Sequence, residues 1–120
     1  RSSDLVAKSA PANQFELYAL PGAVDASKVA PTDSVQYKTL NKTIREIFPD
    51  ALVAPGLMVG GTDSIHYGEI SDHIFKFSPV RANSEDLKRF HGTNERLSVK
   101  NYADAIRFYH RLIPQIAEAK

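Results

Sequence analysis

Residues 51–59 are apolar almost without a break, interrupted only by Pro55 and Gly56. A run of this length, bounded by turn signals, suits a strand buried on both faces, the usual state in a parallel sheet covered by helices. Such a strand requires paired neighbours and helices above and below it. Two further segments read as strands. Residues 15–20 alternate weakly and carry aromatics before Pro21 and Gly22 end them, and residues 73–77 run up to Pro79. The expected fold class is therefore α/β. The sheet is nonetheless too small for what residues 51–59 ask of it.

The helical signals are sharper. Thr32, Asp33 and Ser34 supply N-cap candidates for a helix whose Tyr37, Leu40, Ile44 and Ile47 share one face, and Pro49 stops it. Gly60 and Gly61 open a turn into a short helical stretch over 64–70, and 84–87 read as a cap with one helical turn. Ser98 caps a last helix with a stripe of Tyr102, Ile106, Tyr109, Leu112 and Ile116, which Pro114 should kink or thin near its end. Tyr37, Leu40, Ile44, Ile47, Tyr102, Tyr109 and Leu112 are expected in the core, and His110 is expected to be a surface or boundary residue rather than a ligand. Residues 1–13 read as an irregular lead-in and 23–31 as a linker.

The 120 residues fit one small domain, and 42% hydrophobic with 24% charged residues is the balance of an ordinary globular chain. A net charge of +1, with Lys and Arg spread among Asp and Glu, gives no reason to expect a nucleic-acid or membrane partner. With no Cys, any zinc here needs His, Asp or Glu. The first residues hold no apolar run long enough for a signal peptide and do not begin with Met, so a processed chain, a fragment or a trimmed one is expected. Asn41-Lys42-Thr43 is a glycosylation sequon inside the first strong helix signal, a match that also arises by chance.

Two clusters carry more than packing. The first runs through Gly60, Gly61, Thr62, Asp63 and Ser64 to His66 and Tyr67. Paired glycines after an apolar run let a substrate approach the backbone, whose N–H groups can donate to an oxyanion or carboxylate. A tight turn with a capping Asp or Ser accounts for the same residues. The second cluster is Arg89, Phe90, His91, Gly92, Thr93, Asn94, Glu95 and Arg96. Its histidine sits in a loop with a carboxylate four positions on; zinc accepts imidazole nitrogen, and a nearby carboxylate can orient such a ligand. A polar surface histidine fits the spacing as well.

In this order and separation, residues 53–67 and 90–102 resemble the last two motif blocks of the carboxypeptidase S, aminoacylase and glutamate carboxypeptidase family of zinc peptidases. A weaker likeness extends from about residue 15 to the end. The resemblance implies a catalytic zinc-peptidase α/β sandwich interrupted by a lid or dimerisation domain. Residues 1–30 would then be the end of the inserted domain, with a terminal strand and a crossing segment, and 31–120 the C-terminal part of the catalytic domain. It also implies that His91 is a ligand to one of two zinc ions, that Gly60, Gly61, Thr62 and Asp63 bind substrate, and that Glu95 acts behind the ligand. Relatives often carry a basic residue after Thr-Asp-Ser; here it is Ile65, which offers neither charge nor a bidentate fork for a substrate carboxylate. His66 is a candidate partial replacement.

The family's other metal groups, an upstream His-x-Asp, a bridging Asp, a Glu-Glu pair and a further acidic ligand, do not occur in this chain. Asp72 and His73 are adjacent but lack that spacing and setting. A catalytic zinc keeps about three protein ligands, so no catalytic residue is expected in this chain and the isolated chain is expected to be inactive. The resemblance implies a parent that cleaves a C-terminal peptide bond or an N-acyl amino acid amide, with the N-terminal half of the same catalytic domain as partner and a possible homodimer. A vacuolar or secreted location follows from the resemblance alone. Two other readings stay open: a truncated relative acting as a binding or dimerising module, and an unrelated small α/β domain holding an anion at the Gly60–Gly61 turn.

Overall fold

The structure is a computed structural model and describes residues 2–9, 11, 13–18, 21–22 and 26–118. Among the described residues there are four α-helices, α1 (Ser2–Ser9), α2 (Val35–Ile47), α3 (Ser84–Leu87) and α4 (Val99–Glu118), with a 3₁₀ turn over Asp63–Tyr67.

The sharp helix signals form where they were expected. The Ser34 hydroxyl accepts from the Tyr37 N–H at 3.2 Å and starts α2, and the Ser98 hydroxyl accepts from the Asn101 N–H at 3.1 Å and starts α4. The cap of α3 lies one residue earlier than the sequence suggested. Asn83 takes the N–H groups of Glu85 and Asp86, while Asp86 reaches back to the Asn83 N–H. Helix α4 continues through Pro114 to Glu118. Proline removes one N–H from the ladder, and the Gln115 side chain supplies a donor to the neighbouring Arg111 carbonyl at 3.1 Å. Residues 2–9, expected to be irregular, form α1.

The core is the seam between α2 and α4. Ile44, Phe48 and Phe108 are buried, flanked by Leu40, Ile47, Ala51, Val53 and Leu112. The Phe77 and Phe108 rings meet at a 45° tilt with centroids 5.2 Å apart, and Tyr37 meets Phe75 at 5.7 Å. Polar contacts pin the same seam. Arg111 pairs with Glu46 at 2.7 Å. Arg81 forks onto Asp50 and lies over the Phe48 ring. The Asn101 amide brackets the Arg81 backbone, accepting from its N–H and donating to its carbonyl. Asp104, nearly buried, accepts from Lys100 at 2.7 Å and Arg107 at 3.1 Å. Thr43 is fully buried with its hydroxyl turned back onto the Thr39 carbonyl, so the sequon at Asn41 lies within a helix. Tyr102 and Tyr109, expected in the core, are exposed.

The α/β expectation is overturned. Among the described residues there is no strand and no sheet, so the chain is not a portion of an α/β sandwich in this structure, and no terminal strand from an inserted domain is present. Residues 51–59 carry no ladder, and Leu52 and Val59 stand 96% and 93% exposed. Residues 15–18 and 73–77 are likewise irregular, and Ala19 and Leu20 of the first expected strand lie outside the described residues. The physical reason is pairing. A strand exists only through hydrogen bonds to a neighbour, and three short apolar segments separated by turns and helices do not find one another here. With so little buried, the radius of gyration is 19.1 Å, against about 14 Å for a compact domain of this length.

Candidate functional site

Gly60 and Gly61 follow the exposed apolar segment, and Thr62 caps the 3₁₀ turn. Its hydroxyl accepts from the Ser64 N–H at 3.3 Å and shares a 2.6 Å hydrogen bond with the Ser64 hydroxyl. Asp63 opens the turn, and Ile65 and His66 lie inside it with partly or fully exposed side chains. Neither glycine takes a positive φ. A methyl added at Gly61 meets nothing within 4 Å, and one at Gly60 only the Met58 sulfur at 4.0 Å. The fold of this chain does not itself require glycine at either position.

His91 lies in the turn that follows α3. Its φ is 58°, in the left-handed region that non-glycine residues enter uncommonly, and Asn94 follows at 62°. The Gly92 N–H donates to the Arg89 carbonyl at 2.9 Å and closes the turn. The Phe90 ring packs on the imidazole at 4.4 Å between centroids. The sequence gives α3 a firm start but no long periodicity, so the chain turns after one helical turn and leaves His91 and Glu95 exposed. Among the described residues no hydrogen bond joins Glu95 to His91.

An open, mostly apolar groove of about 940 Å³ runs between α2 and the irregular segments, with Val53, Met58, Phe75 and Phe77 in its walls. Gly60, Gly61, Thr62 and Ile65 line it; Asp63, His91 and Glu95 do not. Three of the four expected substrate residues, Gly60, Gly61 and Thr62, thus line one groove and Asp63 does not, while the expected metal ligand stands on a separate loop. The groove itself was not foreseen. Its signal lay in the apolar segments, which were assigned to a sheet interior.

Among the described residues no three His, Asp or Glu side chains gather to hold a metal ion. One imidazole cannot fill a zinc shell, so the residues of this chain do not by themselves fit the zinc pair that the motif likeness implies. The shifted carboxylates are all structural. Hydrogen bonds from Arg111, Arg81, Lys28 and Lys100 hold Glu46, Asp50, Asp72 and Asp104, respectively, below the usual carboxylate range.

No family model matches the chain, and no solved structure resembles it significantly. Curated proteins do. A probable carboxypeptidase S-like protein of Dictyostelium discoideum is 36% identical over 101 residues, 84% of this chain and 20% of its own. An N-fatty-acyl-amino acid synthase/hydrolase of Xenopus tropicalis is 39% identical over 111 residues, 92% of this chain and 22% of its own. An uncharacterized carboxypeptidase of Schizosaccharomyces pombe is 35% identical over 95 residues, 75% and 16% of the two. The chain spans about a fifth of the length of the curated relatives it matches. It is homologous, at moderate identity, to peptidases and hydrolases of the carboxypeptidase S-like kind.

Proposed function

We propose that this chain, as a homologue of carboxypeptidase S-like hydrolases, is the C-terminal part of a zinc-dependent amidohydrolase that cleaves a C-terminal peptide bond or an N-acyl amino acid amide. In this reading His91 is one metal ligand, Glu95 stands behind it, and Gly60, Gly61, Thr62 and Asp63 face the substrate. The remaining ligands and the general base come from the N-terminal half of the catalytic domain, and residues 1–30 belong to an inserted lid or dimerisation unit.

The observation that carries the reading is the backbone of His91. A side chain beyond Cβ in the left-handed region costs roughly 1–2 kcal/mol, and strained residues of this kind concentrate at functional sites. Among the described residues, the conformation is accompanied only by the turn that the Gly92 N–H closes on the Arg89 carbonyl and by the tilted Phe90 ring. The Gly60–Gly61 pair supports it in the same way: the chain's own packing leaves both Cβ positions open, as a backbone meant to be approached from outside would.

The test is a chimera in which residues 53–102 replace the aligned segment of the Xenopus tropicalis relative. The chimera is expected to retain hydrolysis of an N-fatty-acyl amino acid. His91→Ala should lower kcat by about a hundredfold or more, the loss seen when groups at a metal site are disturbed, together with zinc content. His91→Gly should raise the thermal stability of the 120-residue chain by relieving the left-handed strain, and abolish activity in the chimera. Full activity and zinc content in His91→Ala would remove His91 from the metal site.

A further inference from the structure

Both bonds that the proposed activity would break lie beside a carboxylate. A C-terminal peptide bond and an N-acyl amino acid amide each carry a free α-carboxylate on the amino acid side, one carbon from the scissile nitrogen. Seating that charge in a site without a partner is costly, so a groove that takes such a substrate beside Gly60 and Gly61 needs a cation. Ile65, which lines the groove with them, offers none. His66 follows it in the 3₁₀ turn but does not line the groove, and neither does His91.

The charges of the groove wall narrow the choice to one side chain. Among the described residues that line it, the cations are Lys28, Lys76 and Arg81, and none is Asp or Glu. Lys28 is bonded to Asp72 at 2.8 Å, and Arg81 forks onto Asp50. Both of those charges are met within the chain. Lys76 is exposed, and among the described residues its ammonium forms no ion pair. On either side of it, the Phe75 ring rests against Tyr37 of α2 and the Phe77 ring against Phe108 of α4, which lays this segment along the groove. An unmatched ammonium in a mostly apolar wall that holds no acid favours a ligand with an apolar body and one negative charge. The volume of about 940 Å³ suits a small molecule of that kind. We infer that Lys76 is the positioning residue that pairs with the substrate's carboxylate, while apolar side chains such as Val53, Met58 and Phe75 take the group on the other side of the scissile amide. The inference rests on the hydrolase reading for the carboxylate; the cation is read from the groove itself.

Two measurements test it. In the chimera described above, Lys76→Gln should raise KM for N-octanoylglycine about tenfold or more, the loss of one charged hydrogen bond, and leave kcat within about twofold. Lys76→Arg should restore KM. In the 120-residue chain, calorimetry should show N-octanoylglycine binding more tightly than its uncharged glycinamide, and Lys76→Gln should remove that preference by weakening the acid alone. Lys28→Gln should change neither measurement, because Asp72 already meets that charge. A chimera whose KM is unmoved by Lys76→Gln, or a chain that binds acid and amide alike, would overturn the inference and leave the reading of His91 intact. A fall in kcat and in thermal midpoint with the acid-over-amide preference kept would make Lys76 a packing residue and overturn it as well. A chimera without hydrolysis would sink the hydrolase reading instead, and the preference of the 120-residue chain would then decide the role of Lys76.

Discussion

Arg81 shows how much of this fold hangs on single residues. It lies far from both helices in sequence, yet its guanidinium forks onto Asp50, covers the Phe48 ring and shares its backbone with the Asn101 amide. It thereby joins the end of α2, the segment after the groove and the first turn of α4. Four carboxylates in or around this framework, Glu46, Asp50, Asp72 and Asp104, are held below their usual range by a bonded cation. A lowered folded-state value means that the unfolded chain binds the proton more readily. The stabilisation is therefore complete above the ordinary carboxylate pKa of about 4 and is lost as pH falls through the lower folded values. Thermal melts followed by circular dichroism should show an unchanged midpoint from pH 7 to 5 and a steady fall below about pH 4. Asp104→Asn should lower the midpoint at pH 7 and flatten the acid fall. The exposed Lys28–Asp72 pair should contribute little and fade in salt. A chain more stable at pH 3 than at pH 7 would show that these ion pairs do not hold the seam.

At the scale of elements, what the sequence discloses depends on where each element finds its hydrogen bonds. Helices α2 and α4 close theirs within a few residues, so the caps at Ser34 and Ser98 and the spacing of Leu40, Ile44 and Ile47 suffice to locate them. Ser34→Ala should cost about 1 kcal/mol, and Phe108→Ala about 3–5 kcal/mol as the largest fully buried side chain. Urea titration can check both, the second being enough to dissolve the helix pair. Helix α1 was not legible because small and polar residues such as Ser2, Ser3 and Ser9 read as loop by composition. The strands failed for the opposite reason. Residues 51–59 have strand-like composition, but a strand is a relation between segments, and no run of residues states which partner it has. The site divides in the same way. The Gly60–Ser64 and Arg89–Arg96 blocks were visible as motifs, whereas the left-handed backbone of His91 and the groove beside Gly60 appear only in three dimensions. Tyr102 and Tyr109 were assigned to the core because their periodicity is real; periodicity identifies a face that wants cover, not what covers it.

The whole molecule exposes more than it encloses. Its surface area is 10219 Å², against about 6,500 Å² for a folded monomer of 13.3 kDa. Three buried hydrophobic side chains form the centre of the core, while Leu52, Leu57, Val59, Ile70 and Val99 stand open. Net stability is a small difference between burial and conformational entropy, and burial on this scale supports the α2–α4 seam and little beyond it. Native-state hydrogen exchange on the 120-residue chain should therefore protect the amides of α2 and α4 together, as one cooperative unit. Residues 52–61 and 74–78, which lie in no helix or strand, should exchange near the rate of an unstructured peptide. Dye binding to exposed apolar surface should be strong and should fall on any association that covers the groove or the outer stripe of α4. The alternative is a chain whose irregular segments pack tightly in solution. It would show slow exchange throughout 51–61, weak dye binding and one sharp unfolding transition, and it would place the groove residues in a core of the chain's own. Protection confined to the two helices instead means that the segments carrying Gly60, Gly61 and Thr62 take their order from whatever they meet.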